Sequence, residues 1–160
     1  MSVVTITETT QYLTFKLDEE VFALDVAKVR EILEYTTVTK VPRTPDFMRG
    51  VINLRGSVVP VIDLRLKFGM SVTQQTVNTC IIVTEVQMED EVIILGALAD
   101  SVQEVVEMEP AQIEAAPHIG TGLNTDFIKG MGKLDGNFIM ILDMDRIFSN
   151  EELESVQEQA

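Results

Sequence analysis

The chain has 160 residues, 46% of them hydrophobic, and its 12 basic and 26 acidic side chains give a formal net charge of −14. This length and composition predict one globular domain or two very small ones. The charge argues against nucleic acids and anionic lipids as partners, because both are bound through clustered Lys and Arg. No apolar run approaches the roughly 20 residues that cross a bilayer, and no signal peptide opens the chain, so we expect a cytoplasmic protein without membrane insertion.

The first third of the chain reads mainly as strand. Apolar and polar residues alternate from Leu13 to Leu17, and a charged turn at 18–20 leads into a second strand from Val21 to Val26, which predicts a hairpin. From Val26 to Glu34 the apolar residues recur at helical spacing, which predicts a short helix, although the β-branched residues there also suit a strand.

Short β-branched runs then recur about every ten residues and predict strands at 51–54, 58–62, 80–86, 92–98 and 138–142. This regular spacing favours small barrels over a helical or βαβ architecture. Asp63 to Phe68 is expected to form a single helical turn, and Ser149 with Glu152 fits a capping box that opens a C-terminal helix to about Gln157. Residues 1–10 and 157–160 are expected to be flexible tails.

A shift of 80 residues lays residues 47–68 on residues 127–148 without a gap, and six of the 22 positions are identical. A second match, at a shift of 73, sets residues 29–34 on residues 102–107. Chance would give roughly one or two identities at ordinary residue frequencies. The sequence therefore predicts a duplication of units of about 70 to 80 residues. The identical pairs at the longer shift are Phe47 and Phe127, Gly50 and Gly130, Leu54 and Leu134, Gly56 and Gly136, Asp63 and Asp143, and Phe68 and Phe148.

Catalytic and metal-binding signals are weak. With Cys80 and His118 as the only cysteine and histidine, a disulfide and the usual zinc ligand sets are excluded. The duplicated Asp63 and Asp143 could meet as a proton-sharing pair, but each ends an apolar run and begins a helical turn, which is typical of an N-cap. We expect no catalytic residue, no metal and no cofactor, and the dyad enzyme and a nucleic-acid-binding barrel are the rival readings.

Charge is uneven along the chain, since residues 28–67 carry eight basic and four acidic side chains within an acidic protein. This stretch is a candidate docking surface for an acidic partner, and solvated strand faces explain it equally well. Within it, Pro42-Arg-Thr-Pro45-Asp-Phe47 is followed by Arg49-Gly-Val-Ile-Asn-Leu-Arg-Gly56. These motifs, with Phe22-Ala-Leu-Asp-Val and Leu98-Ala-Asp-Ser-Val, closely resemble the CheW family of chemotaxis coupling proteins over about residues 11–150.

The resemblance implies an all-β fold of two intertwined SH3-like five-stranded β-barrels, with short connecting helices and a C-terminal helix. They would form one domain over 11–150, with subdomains at roughly 15–75, plus chain-crossing strands, and 76–150. It also implies a non-catalytic adaptor that joins the cytoplasmic tips of methyl-accepting chemoreceptors to the regulatory domain of the histidine kinase CheA. Other coupling proteins in array rings are a further implied partner, and a chemosensory pathway other than flagellar swimming is the alternative role.

Site residues carry over from the resemblance position by position, with Glu31 and Arg55 forming a charged pair near a receptor groove between the barrels. The implied receptor-binding residues are Val29, Glu31, Gly50, Asn53, Leu54, Arg55, Gly56, Val102 and Val105. The implied kinase-binding residues are Val38, Lys40, Val41, Ile113 and Ile119. Gly50 and Gly56 have repeat counterparts, so a structural role in a turn or a close strand approach is the favoured interpretation of these two.

Overall fold

The computed structural model describes residues 8–115 and 127–159, and within them strands predominate. The strands are β1 (Thr10–Leu17), β2 (Glu20–Asp25), β3 (Val29–Glu34), β4 (Met48–Leu54), β5 (Ser57–Ile62), β6 (Cys80–Met88), β7 (Glu91–Ala99), β8 (Ser101–Met108), β9 (Ile113–Glu114), β10 (Ile128–Leu134) and β11 (Asn137–Leu142). The helices are α1 (Leu64–Lys67), α2 (Met144–Ile147) and α3 (Asn150–Gln159), and 3₁₀ turns lie at Val26–Lys28 and Pro110–Gln112.

The strands form two sheets that exchange strands between the halves of the chain. Sheet 1 has the order β8-β1-β2-β11-β10-β9, and sheet 2 has the order β3-β6-β7-β5-β4. Most neighbours are antiparallel, but each sheet contains one short parallel contact, β2 with β11 in sheet 1 and β5 with β7 in sheet 2. The expected all-β, intertwined fold is confirmed, and sheet 1 carries the two-residue β9 as a sixth strand.

The duplication is visible in the element bounds, since β4, β5 and α1 lie 80 residues before β10, β11 and α2. The expected division near residue 75 does not separate the sheets, however. Sheet 2 combines β3, β4 and β5 with the later β6 and β7, whereas sheet 1 combines β1 and β2 with β8 to β11. The boundary between the sequence repeats is therefore not a boundary between the sheets.

The helix predicted from Val26 to Glu34 is wrong. Only Val26–Lys28 is helical, as a 3₁₀ turn in which the Asp25 carboxylate accepts a hydrogen bond from Ala27 N at 2.9 Å. The rest is β3, which pairs antiparallel with β6. Pairing with a neighbouring strand outweighs the helical spacing because β-branched residues fit a pleated surface better than a helix.

The other predicted helix signals are confirmed. The side chains of Asp63 and Asp143 cap α1 and α2 by accepting hydrogen bonds from the backbone N–H two residues later. Ser149 and Glu152 form the reciprocal capping box of α3, with distances of 2.8 and 3.1 Å. That helix continues to Gln159, so residues 157–159, which we expected in a flexible tail, are helical, and Thr10 already belongs to β1.

The core has a shared part and one smaller part in each sheet. The shared cluster takes residues from both sheets and from α3, among them Phe15, Ile82 and Leu153. A second cluster lies within sheet 2, around Val61, and a third within sheet 1, around Ile141. Because burial of one such side chain contributes roughly 1.5–3 kcal/mol, the shared cluster holds the two sheets together as one unit.

Candidate functional site

The turn between β4 and β5 presents the Arg55 side chain to solvent. Arg55 and Gly56 form a two-residue hairpin turn in which both residues have positive φ, +50° and +87°. Positive φ at both central positions defines a type I′ turn, which matches the twist of a hairpin and favours glycine at its second position. The Asn53 side chain fixes the turn further, since its Oδ1 accepts a hydrogen bond from Gly56 N at 2.9 Å.

Arg55 forms a two-pronged ion pair with Glu31 of β3, as the sequence interpretation anticipated. Arg55 Nη1 donates to Glu31 Oε1 at 3.3 Å, and Nη2 donates to Oε2. The side chain of Arg55 is 72% exposed and that of Glu31 is 27% exposed. The hydrogen bonds from Arg55 hold the pKa of Glu31 below its ordinary value, and the carboxylate raises the pKa of Arg55.

This ion pair borders a depression of about 610 Å³, here called the Arg55 depression. Its floor reaches the apolar cluster of sheet 2 through Leu54, Val59 and Val83. Val58 and Val92 lie on its wall and stay 55% and 50% exposed. The depression is lined by Arg30, Glu31, Leu54, Arg55, Ser57, Val58, Val59, Pro60, Val83, Val92, Ile93 and Ile94. Exposed apolar side chains beside a charged rim are typical of a protein-binding surface.

Sheet 1 carries the duplicated counterpart of this depression with different charges. The β10–β11 turn again has two residues of positive φ, but Asp135 stands where sheet 2 has Arg55. Glu19, Glu20 and Glu104 line the same depression, together with Lys16. The Arg–Glu pair thus belongs to sheet 2, and its counterpart in sheet 1 is acidic.

Neither duplicated aspartate is arranged for catalysis. Asp63 is fully buried, and its oxygens accept hydrogen bonds from Arg65 N, Thr73 N and Thr73 Oγ1, with Arg49 Nη1 at 3.6 Å. Asp143 caps α2 and contacts Arg146. Both carboxylates are therefore engaged in structural contacts. Among the described residues, no group of three or more His, Cys, Asp and Glu side chains could hold a metal ion.

Comparison with known proteins identifies the fold and its class. A family model described as "CheW-like domain" matches residues 11–152. The chain belongs to the CheW-like family. The chemotaxis protein CheW of Klebsiella aerogenes is 36% identical over 143 residues, which cover 89% of this chain and 84% of that protein. The chemotaxis protein CheW of Thermotoga maritima is 32% identical over 140 residues, with 86% of each chain covered.

A solved structure agrees with this assignment. The crystal structure of the scaffolding protein TtCheW from Thermoanaerobacter tengcongensis has a TM-score of 0.79 and 33% sequence identity, and the match covers 89% of this chain and 94% of that one. CheW-like proteins are non-catalytic scaffold proteins of chemotaxis, so this chain is an adaptor and not an enzyme. No helix in the described part of the chain is long and apolar enough to cross a membrane.

The nine receptor-binding residues expected from the CheW resemblance do not all meet in one depression. Glu31, Leu54 and Arg55 line the Arg55 depression. Val29 and Val102 instead pack, partly buried, against the cluster that both sheets share. Val105 lies on β8 of sheet 1 and is 54% exposed.

Gly50 and Gly56 have structural roles, as the repeat indicated. A Cβ on Gly50 would overlap the carbonyl oxygen of Thr39 and lie 2.8 Å from Val38 Cγ1. Gly56 has open space around it, but its φ of +87° is one that side chains rarely adopt. Both glycines are thus required by the backbone of the β4–β5 hairpin, whatever else they contact.

The expected kinase-binding residues of the CheW-like fold lie at corresponding edges of the two sheets. Thr39, which follows Val38, forms a bridge with Val51 of β4. Ile113 and Glu114 form β9, which pairs with Gly132 and Met131 of β10. Lys40 is exposed and Val41 half-buried, whereas Ile119 lies outside the described residues. The two segments therefore border different sheets.

Val58 and Val92 are the neighbours of Arg55 that the sequence interpretation missed. Val58 follows the type I′ turn by two residues, and Val92 begins the neighbouring part of β7. Both sit in apolar runs that predicted buried strands, so their side chains looked like core. The usable signal is position, because the residues that flank a two-residue turn lie at the open end of a hairpin.

Proposed function

We propose that this CheW-like adaptor couples methyl-accepting chemoreceptors to the histidine kinase CheA in the cytoplasm, at the receptor arrays. Its receptor-binding surface includes the Arg55 depression, and its kinase-binding surface includes the edge segments around Lys40 and Ile113. Family membership supports an adaptor role in chemotaxis, and the two surfaces supply what an adaptor needs, namely separate sites for two partners.

The exposed Arg55–Glu31 pair beside Val58 and Val92 is the observation that carries the receptor site. A chemoreceptor tip is a helical hairpin, so an apolar stripe of one helix can cover the exposed valines while polar side chains meet the charged rim. The guanidinium group of Arg55 is planar and carries five donors. It can therefore keep Glu31 or bind a receptor carboxylate with two hydrogen bonds, which a lysine could not reproduce.

The edge segments support a different type of contact with the kinase. The edge of a sheet offers unpaired backbone N–H and C=O groups and invites a further strand or loop. In sheet 2 the outer edge of β4 is covered only at Thr39, and in sheet 1 the outer edge of β10 is covered by the two residues of β9. Both edges remain short and partly open among the described residues.

The receptor arm is tested with Arg55→Ala and with Asp135→Ala as its matched control. Both substitutions place alanine at the same turn position with positive φ, so any cost to folding is shared. We expect Arg55→Ala to weaken binding of a soluble receptor hairpin tip by about tenfold, the size of a typical hot spot, and Asp135→Ala to leave it unchanged. Titration calorimetry measures both affinities. Equal effects of the two variants would contradict the receptor site.

The kinase arm uses the purified regulatory domain of CheA with the variants Lys40→Glu and Ile119→Asp. We expect both variants to lose affinity for this domain and to bind the receptor tip as the parent does. The parent protein should bind both partners in a saturable manner. Binding of neither partner by the folded protein, with partners from the same genome, would refute the proposed coupling function.

A further inference from the structure

Two crossover segments carry the chain from one sheet to the other. The first, at Val26–Lys28, leads from β2 of sheet 1 into β3 of sheet 2. The second is Asp100, which separates β7 of sheet 2 from β8 of sheet 1. Each crossover carries a charged side chain, and each of these charges pairs with the helix that follows the other end of the fold.

At the first crossover, Lys28 pairs with Asp145 of α2. Lys28 Nζ lies 3.4 Å from Asp145 Oδ2, and the two side chains are 42% and 33% exposed. Asp145 Oδ1 also accepts a hydrogen bond from Gln87 N of β6 at 2.7 Å. Because α2 follows β11 of sheet 1 whereas Lys28 and Gln87 belong to sheet 2, this carboxylate joins the two sheets.

At the second crossover, Asp100 pairs with Arg65 of α1, which follows β5 of sheet 2. Arg65 Nη1 lies 2.7 Å from Asp100 Oδ2, and the side chains are only 14% and 24% exposed. The same oxygen accepts from Asp18 N in the β1–β2 turn of sheet 1 at 2.6 Å. The remaining Arg65 donors bind Ser71 O and Oγ, both at 2.9 Å. This pair also joins the sheets, and its geometry is held from several sides.

The two ion pairs occupy corresponding places in the duplicated fold with reversed charges. The shift of 80 residues that relates the repeats lays Arg65 on Asp145, so the cation is on α1 in one pair and on the crossover in the other. Reversed order makes each helix complementary to its own crossover alone, since Arg65 facing Lys28, or Asp145 facing Asp100, would be repulsive. The reversal therefore favours one arrangement of the two sheets.

We propose that Lys28, Asp145, Arg65 and Asp100 are positioning residues that fix the orientation of sheet 1 relative to sheet 2. Val29 directly follows Lys28 and Val102 lies two residues after Asp100, and both valines pack against the cluster shared by the sheets. Fixing the crossovers thereby fixes the spacing of these two receptor-groove positions. This consequence for receptor binding rests on the proposed function, whereas the effect on sheet orientation does not.

The test measures the distance between spin labels on the two sheets. Glu34 of β3 and Glu107 of β8 are exposed, and they correspond at the shift of 73 residues, so Glu34→Cys and Glu107→Cys on a Cys80→Ser background place one label on each sheet. Pulsed electron spin resonance compares this parent with the double variant Lys28→Met and Arg65→Met. Lys133→Met is the matched control, because Lys133 pairs with Glu114 inside sheet 1.

We expect the double variant to broaden or shift the distance distribution and the control to keep that of the parent. Lys28→Met alone, at the more exposed pair, should give a smaller change in a protein whose circular dichroism stays native. In unlabelled proteins, receptor-tip affinity should fall at least about fivefold in the double variant, a typical size for a coupling between sites. A parent-like distribution in the double variant would overturn the proposal, even if no receptor tip binds any of the proteins.

Discussion

Asp63 and Asp143 are the same residue in the two repeats, yet their surroundings differ. Both cap a helical turn. The Asp63 side chain is only 1% exposed and additionally holds Thr73 and Arg49, whereas that of Asp143 is 17% exposed and contacts Arg146. Asp63 thus anchors the loop that follows α1, while Asp143 acts mainly as a cap.

This difference predicts unequal losses of stability. Asp63→Ala leaves the buried Thr73 N–H and hydroxyl without an acceptor, so we expect it to lower the free energy of unfolding by about 3 kcal/mol or more. Asp143→Ala removes a partly exposed cap and should cost about 1 kcal/mol. Urea denaturation of the two variants measures both values. Equal losses would show that the buried contacts of Asp63 do not stabilise the fold.

Residue roles were predictable from sequence where local chemistry decides them. Aspartate before a helical turn and glycine in a hairpin turn follow from backbone requirements of a few residues. The exposure of Val58 and Val92 could not be predicted in this way, because it depends on which end of the hairpin is left open by the rest of sheet 2. The Glu31–Arg55 pair joins positions 24 residues apart, and the family resemblance, not residue spacing, indicated it.

At the scale of elements, α3 is attached to the rest of the molecule by mixed contacts. Leu153 belongs to the core shared by the sheets, and Glu152 pairs with Lys67 of α1. The Lys67 ammonium also lies 5.0 Å from the ring centroid of Phe47 and 5.6 Å from that of Phe148. Cation–π contacts and an ion pair together therefore fix this helix over both repeats.

Burial alone would raise the pKa of Glu152, but hydrogen bonds from Lys67 and Ser149 outweigh it and hold that pKa below its ordinary value of 4.5. A carboxyl group with a lowered pKa stabilises the folded state above its ordinary value, and this contribution is lost as the pH falls through the folded-state pKa. Glu152→Gln should therefore destabilise the protein by about 0.5–1 kcal/mol at pH 7, after solvent screening. The difference from the parent should vanish below about pH 4.

Glutamine can still serve in the capping box with Ser149, so Glu152→Gln tests the charge and not the cap. Glu154→Gln, at an exposed position of the same helix, is the control and should leave stability unchanged at both pH values. Urea denaturation at pH 7 and pH 4 gives the four free energies of unfolding. A loss for Glu152→Gln that is the same at both pH values would exclude the ion pair as its cause.

The segment 26–34 shows where element prediction from sequence reached its limit. Its apolar residues repeat at helical spacing, but in β3 the inner face is formed by Val29, Glu31 and Leu33, whereas Ile32 is 44% exposed. An inward acid and an outward isoleucine contradict ordinary alternation, so the local pattern could not reveal the strand. The pairing with β6, more than 45 residues away in sequence, decides it.

At the scale of the whole molecule, the exchange of strands makes each half of the chain depend on the other. Sheet 2 needs β6 and β7 between β3 and β5, and sheet 1 needs β1 and β2 between β8 and β11. The internal repeat could be found from sequence, yet two independent barrels, one per repeat, would have produced the same repeat. Only the family resemblance pointed to the intertwined arrangement, because strand exchange leaves no local signal.

Division of the chain between Gln75 and Thr76, both exposed, therefore tests the exchange. Residues 1–75 alone retain β1 to β5 and residues 76–160 retain β6 to β11, so each fragment keeps hairpins whose neighbouring strands are missing. Isolated hairpins are marginally stable in water at best, and we expect each fragment alone to show the narrow amide-proton dispersion of an unfolded chain. Mixing equal amounts should restore a dispersed, native-like NMR spectrum, because both sheets are then complete. A dispersed spectrum from either fragment alone would mean that one repeat can fold by itself, and the exchanged strands would then be dispensable for the fold.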